Sequence, residues 1–499
     1  MLTKFVVLAI YISILFLIGI LASKRIKSMS DFYVGGKNMG FWAVAFSARA
    51  TGESGWLLIG LTGMGAMAGF SAYWVVLGEL LGVFVSWFFM AKHFKRKSDA
   101  YKSITIPDYL ESHFKSTTHT LRIISASVLS IFVVIYVSSQ IDATGIAFES
   151  MLGINYYTGA LIGFFIVLIY IFIGGFVAAV WSDLFQGALM FFGLVLLPIV
   201  VWFSMDHGTA ITEGLNAIDP ALTDVWGGNS DGWTNLFTIL GFSMIGLGFL
   251  GSPQVYVRFM SIKNEEEIDK GKWVAIVFTL LTDAAAVTIG ILARVLFTEN
   301  GQDPEAVFGV GATDVLSLMT ENFLPNILVA IYIAIVLSAI MSTIDSLLII
   351  ASSAITRDFY QKIFHPDIHD DQLTKISRYV TVIMAVIALG IAMTIAIVSP
   401  ERQVFWVIIF GWSGIAATFC PVIILSLFWK GYSEKGAIAS MVSGFISVII
   451  IKFVFQNLDG IGDYFVALDV LAPSFLVAMI FGWIFSKLYP NQELTSNNL

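Results

Sequence analysis

Apolar residues recur along this chain in thirteen runs of about twenty, parted by short polar stretches. The runs lie near 3–23, 41–66, 72–91, 122–147, 156–176, 183–204, 235–254, 273–297, 325–354, 377–398, 403–428, 436–455 and 466–487. A helix needs roughly 20 residues to cross about 30 Å of hydrocarbon, so each run has the length of one membrane span. They are numbered spans 1 to 13 in chain order. A membrane barrel would instead show alternating segments of roughly ten residues. The pattern predicts an all-α membrane protein with about thirteen transmembrane helices.

Composition agrees. Hydrophobic residues make up 58% of the chain and charged residues 12%, about half the charge of a soluble domain. Residues 1–499 read as a single transmembrane domain whose partner is lipid and not nucleic acid. The one cysteine, Cys420, excludes intrachain disulfides and cysteine zinc clusters. Lys24, Arg25 and Lys27 follow the first apolar run instead of preceding it. That order is backwards for a cleaved signal peptide, so span 1 is expected to be retained.

Charge is sorted by loop. Loops 24–40, 92–122, 258–272, 357–378 and 429–435, with the tail from Lys487, hold 22 of the 27 Lys and Arg residues. Loops 205–234 and 298–324 hold none. They carry Asp206, Glu213, Asp219, Asp224, Asp231, Glu299, Asp303, Glu305, Asp314 and Glu321. By the positive-inside rule, the N-terminus is expected outside and the C-terminus in the cytoplasm of a cell inner membrane.

Two spans are interrupted. Span 2 reads Ala50-Thr51-Gly52-Glu53-Ser54-Gly55-Trp56 at its middle, and span 7 reads Gly246-Leu247-Gly248-Phe249-Leu250-Gly251-Ser252-Pro253. Glycine weakens a helix and proline removes a donor. Unwound backbone at membrane depth is tolerated only where protein or a polar cavity covers it. The interruptions lie five spans apart, so spans 2–6 (41–204) and 7–11 (235–428) are predicted to be two five-helix repeats. An odd repeat inverts its partner in the membrane, and paired broken helices point to a transporter's midplane site. Residues 1–40 and 429–499 flank the repeats. The alternative is that these glycines only let helices pack closely.

Several polar groups do not belong in lipid. Arg49, Glu53, Glu79, Asp142, Asp283, Asp345 and Asp469 fall inside spans, and Asp183 at the entrance of span 6. A charge at the bilayer centre costs about 3 kcal/mol on insertion scales. Ala339, Ser342, Thr343 and Ser346 share one face of span 9 at spacings of three and four. Their oxygens suit a hard cation such as sodium; the alternative is hydroxyls bonding back to the preceding turn. Asp183 reads as an N-terminal cap, a role compatible with ligating an ion. Tyr136, Ser138, Ser139, Gln140 and Asp142 make the second half of span 4 polar, as a cavity wall would be.

Four stretches together resemble the sodium:solute symporter family, and within it the bacterial sodium/proline permeases. They are Asp31-Phe32-Tyr33-Val34-Gly35-Gly36-Lys37, Ser54-Gly55-Trp56-Leu57-Leu58, Gly174-Gly175-Phe176 through Asp183, and Met341-Ser342-Thr343 with Ser352-Ser353-Ala354-Ile355-Thr356. The resemblance implies the inverted five-plus-five repeat of the leucine-transporter type. It implies one co-transported sodium ion held by the carbonyls of Ala50, Glu53 and Ala339 and the hydroxyls of Ser342 and Thr343. It assigns Asp183 and Ser346 to a second cation site. The solute would lie near Ser54, Gly55, Trp56, Tyr136, Gln140 and Pro253.

The chain also departs from that pattern. Gly52 and Ile245 stand where the proline permeases carry Asp and Trp, and Gln140, Asp142, Asp283 and Asp345 are not expected of a proline carrier. The expected function is therefore sodium-coupled import of a small polar solute. Proline, a related amino acid or another zwitterion is the candidate class, and a solute other than proline is favoured within it. A sugar or carboxylate symporter is the alternative, as is a transporter-fold sensor. No catalytic constellation is present, so no enzymatic activity is expected.

Overall fold

The computed structural model describes residues 2–205, 211–228, 231–401 and 403–490. Asp206 of the acidic loop and the tail after 490 lie outside them. Apart from a single bridge between Met39 and Ile262, the described segments are helices joined by turns.

Eleven of these helices are long and apolar enough to cross a membrane. One, Phe41–Ala100, runs for 60 residues, or about 90 Å at 1.5 Å per residue. It therefore holds two passes, spans 2 and 3, and turns at Gly69 (φ 58°), which lies against the Leu222 backbone. The helix Tyr156–Ser204 is likewise too long for one pass, and it breaks at Gly175 (φ 54°, ψ −155°) into spans 5 and 6. A Cβ at Gly175 would sit 2.7 Å from the Phe32 ring, so only glycine lets the N-terminal loop pack into this turn. With the short apolar segment Tyr156–Ile169 included, the thirteen expected passes are recovered.

Asp183 thus lies two turns inside the helix Gly175–Ser204, and its N-terminal cap reading is corrected. True caps stand elsewhere. Asn264 accepts from the Glu267 amide, and Glu265, Glu266 and Glu267 fill the first turn of Glu265–Phe297, where negative charge suits the helix dipole.

The charge-sorted loops segregate in space. On one side Arg96 pairs with Glu265 at 2.6 Å, Lys92 with Asp269 at 2.6 Å and Lys37 with Asp99 at 3.0 Å. On the other, Lys4 pairs with Glu321 at 3.0 Å and the Trp74 indole donates to Val225 O. Two arginines counted with the basic loops are in fact buried, Arg122 and Arg258.

The core is built around span 9. Every residue from Tyr332 to Ser353 is buried, and the helix packs against spans 1, 2, 4 and 6. Spans 3 and 7 meet backbone to backbone at Gly78 and Gly246. The close-packing reading of the span 7 glycines therefore holds at Gly246, while the chain still breaks just beyond it.

Candidate cation and solute site

Span 2 is helical from Phe41 to Gly55 except at Ser54, whose φ of 46° and ψ of −167° leave the helix. A side chain in that backbone region is strained and persists only where its surroundings hold it. Span 4 supplies the hold: Gln140 Oε1 accepts from the Gly55 amide at 3.0 Å, and the Tyr136 hydroxyl reaches Ser54 Oγ at 3.4 Å. The Trp56 indole then donates back across the break to Gly52 O at 3.1 Å. Span 7 changes at Ile245 into a tight 3₁₀ turn through Leu250, then restarts as a helix at Pro253. Pro253 at the head of a new helix loses nothing, because the first amides of a helix have no partner within it.

Other polar residues of span 4 have partners elsewhere. Ser138 and Ser139 bond back to Ile135 O and Tyr136 O, and Asp142 accepts from Tyr156 at 2.6 Å. The cavity-wall reading therefore applies to Tyr136 and Gln140.

The span 9 face meets the intact half of span 2. Ser342 Oγ lies 3.0 Å from both Ala50 O and Ala339 O. Thr343 Oγ1 lies 3.1 Å from Thr51 O and 3.2 Å from Ala339 O. These hydroxyls and carbonyls, all from buried residues, gather hard oxygens without net charge. Oxygen donors of this kind select hard cations. The Glu53 carbonyl accepts from the Trp56 amide.

Asp183 and Ser346 do meet, but around a residue the sequence reading missed. Arg258, one turn beyond Pro253, points its guanidinium between them. Its Nη2 donates to Asp183 Oδ2 at 3.1 Å and to Thr51 Oγ1 at 2.7 Å, and it contacts Ser346 Oγ. Nε reaches Ser47 Oγ at 2.9 Å and Nη1 the Gln254 carbonyl at 2.6 Å. The positive charge beside Asp183 is therefore a side chain of the protein.

Behind span 2 lies a second charged centre. Arg49 contacts Glu53 one turn on and lies 3.2 Å from Glu79 of span 3. Asp283 of span 8 joins them, and one oxygen from each of the three carboxylates lies within 4.8 Å of the others. The Arg49 guanidinium stacks 4.5 Å above the Phe249 ring.

Phe249 and Trp412 complete the wall of the break. Their rings lie 5.0 Å apart, and Tyr136 meets Trp412 at 6.4 Å. The Trp412 indole donates to Ile245 O at 3.1 Å and covers Gly248. A Cβ at Gly52 would come within 2.7 Å of Phe249, so the missing side chain at 52 makes room for that ring. Nothing in the apolar run of span 11 separates Trp412 from its lipid-facing neighbours, whereas Phe249 was legible only as part of the break.

Comparison with known proteins gives this geometry its context. The sodium:solute symporter family model matches residues 32–444. The high-affinity proline transporter PutP of Bacillus subtilis is 33% identical over 92% of this chain and 96% of its own. The osmoregulated proline transporter OpuE of the same organism is 30% identical over 96% and 94%. Among solved structures, a Na⁺-coupled sialic acid symporter in a substrate-bound outward-open state superposes with a TM-score of 0.77 at 19% identity, covering 98% of both chains. The nucleobase–cation symporter Mhp1 superposes at 0.52 and 13%, covering 92% of this chain and 95% of its own. The inverted-repeat fold is thus shared with sodium-coupled transporters and not with an enzyme, and the chain belongs to the sodium:solute symporter family.

Proposed function

We propose that this protein uses the inward sodium gradient to take up proline or a zwitterion of its size. The observation that carries the reading is the oxygen cluster of Ser342, Thr343, Ala50 and Ala339 beside the break at Ser54. An ion held there, with Glu53 O as a further ligand, braces span 2 against span 9. That brace fixes Ser54, Gly55 and Trp56 in the form that receives the solute. Ion and solute then favour the same conformation, and the coupling is reciprocal. The solute carboxylate lies toward the break, where the restarting helix presents the positive end of its dipole, and its ring rests on Trp56, Phe249 and Trp412. Trp412 makes up for the aromatic wall that Ile245 removes, which turns the expectation back toward proline, the solute named for the relatives above.

Asp183 and Ser346, expected to hold a second cation, we assign to Arg258. The residue ranges 41–204 and 235–428 act as the two repeats that rock against each other. The N-terminus lies outside with the acidic loops that Lys4 touches, and the basic face lies in the cytoplasm. Each sodium crossing 100 mV supplies about 2.3 kcal/mol, roughly fiftyfold accumulation.

Purified protein in liposomes tests this. Labelled proline should accumulate only under an inward sodium gradient, with unlabelled proline competing better than sugars or simple carboxylates. Sodium-driven uptake of a solute that proline does not displace would overturn the proline assignment.

A further inference from the structure

We propose that Glu53, Glu79 and Asp283 form a second sodium site, behind span 2 and separate from the hydroxyl–carbonyl cluster facing span 9. This rests on the sodium-coupled reading above. The three carboxylates come from spans 2, 3 and 8, and each is shut off from solvent. Arg49 is the one cation among them, so the centre carries a formal charge of minus two in the membrane core. Burial of unbalanced charge is strongly unfavourable, and an exchangeable cation relieves it.

Two further observations point to an ion. Glu53 Oε2 and Asp283 Oδ2 are buried and find no hydrogen-bond partner, although Asp283 Oδ1 accepts from Thr282 at 3.1 Å. Buried carboxylate oxygens left this way call for a partner, which an ion can supply. The spacing also fits. A hard cation of calcium-like radius, which sodium is, meets oxygen at about 2.3–2.6 Å. Three oxygens mutually within 4.8 Å lie at most about 2.8 Å from a common centre, so a small inward movement brings all three onto one ion.

The position suggests what the site does. Glu53 contributes its side chain here, while its backbone lies beside the first cluster. Arg49 rests on Phe249, which closes on Gly52 at the solute wall. An ion drawing the three acids together frees Arg49 to stay on Phe249, so occupancy behind span 2 reaches the solute side through one aromatic ring.

The experiment is the sodium-to-solute flux ratio in proteoliposomes, measured with labelled sodium and labelled proline. The wild type should move two sodium ions per solute with a sodium Hill coefficient above one. Asp283→Asn and Glu79→Gln, each removing one charge at constant shape, should lower the ratio to one and the Hill coefficient to one. A wild-type ratio of one overturns the proposal without any variant. So does an unchanged ratio in both variants, and so does solute-driven proton entry at one sodium per solute, which would make the cluster a proton site. Sodium-independent uptake would instead sink the symport reading itself, so the two failures are told apart.

Discussion

Two arginines lie buried in the membrane core, and their surroundings differ. Arg258 meets a single carboxylate, Asp183, and every nitrogen of its guanidinium has a partner among Asp183, Ser47, Thr51, Ser346 and the Gln254 carbonyl. Arg49 faces three carboxylates, while its Nε and Nη1 have no partner and its plane lies on Phe249. In the first centre the guanidinium is fully bonded, so it joins spans 2, 6, 7 and 9 as a brace, although Asp183 Oδ1 is left without a partner and Asp345 accepts from Ser346 at 2.9 Å. The second carries excess negative charge and spare oxygens, so it can respond to an ion. A buried charge in a transporter is thus not functional by depth alone; the balance around it decides.

The largest effect expected from this contrast is at Arg258. Arg258→Ala leaves Asp183 buried without its counter-charge, which typically costs about 3–5 kcal/mol. Thermal unfolding followed by tryptophan fluorescence should show the loss, and added sodium should not restore it. Rescue by sodium would mean that Asp183 does take an ion, and the two centres would no longer differ in kind.

A smaller effect is expected where the Arg49 centre touches the solute wall. Gly52→Asp drives a side chain into Phe249, and overpacking of this kind costs about 1–3 kcal/mol. Proline affinity should fall about 5- to 150-fold with sodium dependence retained. Unchanged affinity would remove Phe249 from the wall.

The smallest concerns a third charged cluster, among the basic loops, where Arg122 meets Asp108, Glu111 and Asp358. Burial acts against the Asp108 carboxylate, but Arg357 and Arg122 prevail and hold it below the usual range. Beside it His113, stacked on Tyr109, is pushed down to about 4 by burial and then by Lys97. A histidine so depressed favours the folded state above its unfolded value near 6.5. That contribution is lost as pH falls from about 6.5 toward 4. His113→Asn should flatten the stability profile in that window; an unaltered slope would place the titration elsewhere.

How much of this was legible in the sequence follows from what each feature depends on. Ser342 and Thr343 could be found because three- and four-residue spacing on one helix is a local property, and the breaks of spans 2 and 7 because glycine and proline act locally. Asp183 was misread because the helix begins at Gly175, two turns before the apolar run that marked span 6. Arg258 looked like the start of a basic loop. Its burial depends on Ser47, Thr51, Asp183 and Ser346, which are remote in sequence and become neighbours only when four spans pack. Arg49, Glu53, Glu79 and Asp283 were all visible as charges out of place, but that spans 2, 3 and 8 bring them together was not. The departure at Ile245 looked like a lost wall until packing brought Trp412 to it from another span.

The central claim is that sodium is held between spans 2 and 9 beside the break that receives the solute. The most direct measurement is the sodium dependence of proline uptake by the Ser342→Ala/Thr343→Ala variant. Hydrogen-bonding groups that serve a charge are worth about 1.5–3 kcal/mol each. The half-maximal sodium concentration should therefore rise tenfold or more, with proline affinity nearly restored at saturating sodium. A sodium dependence equal to that of the wild type would contradict the account.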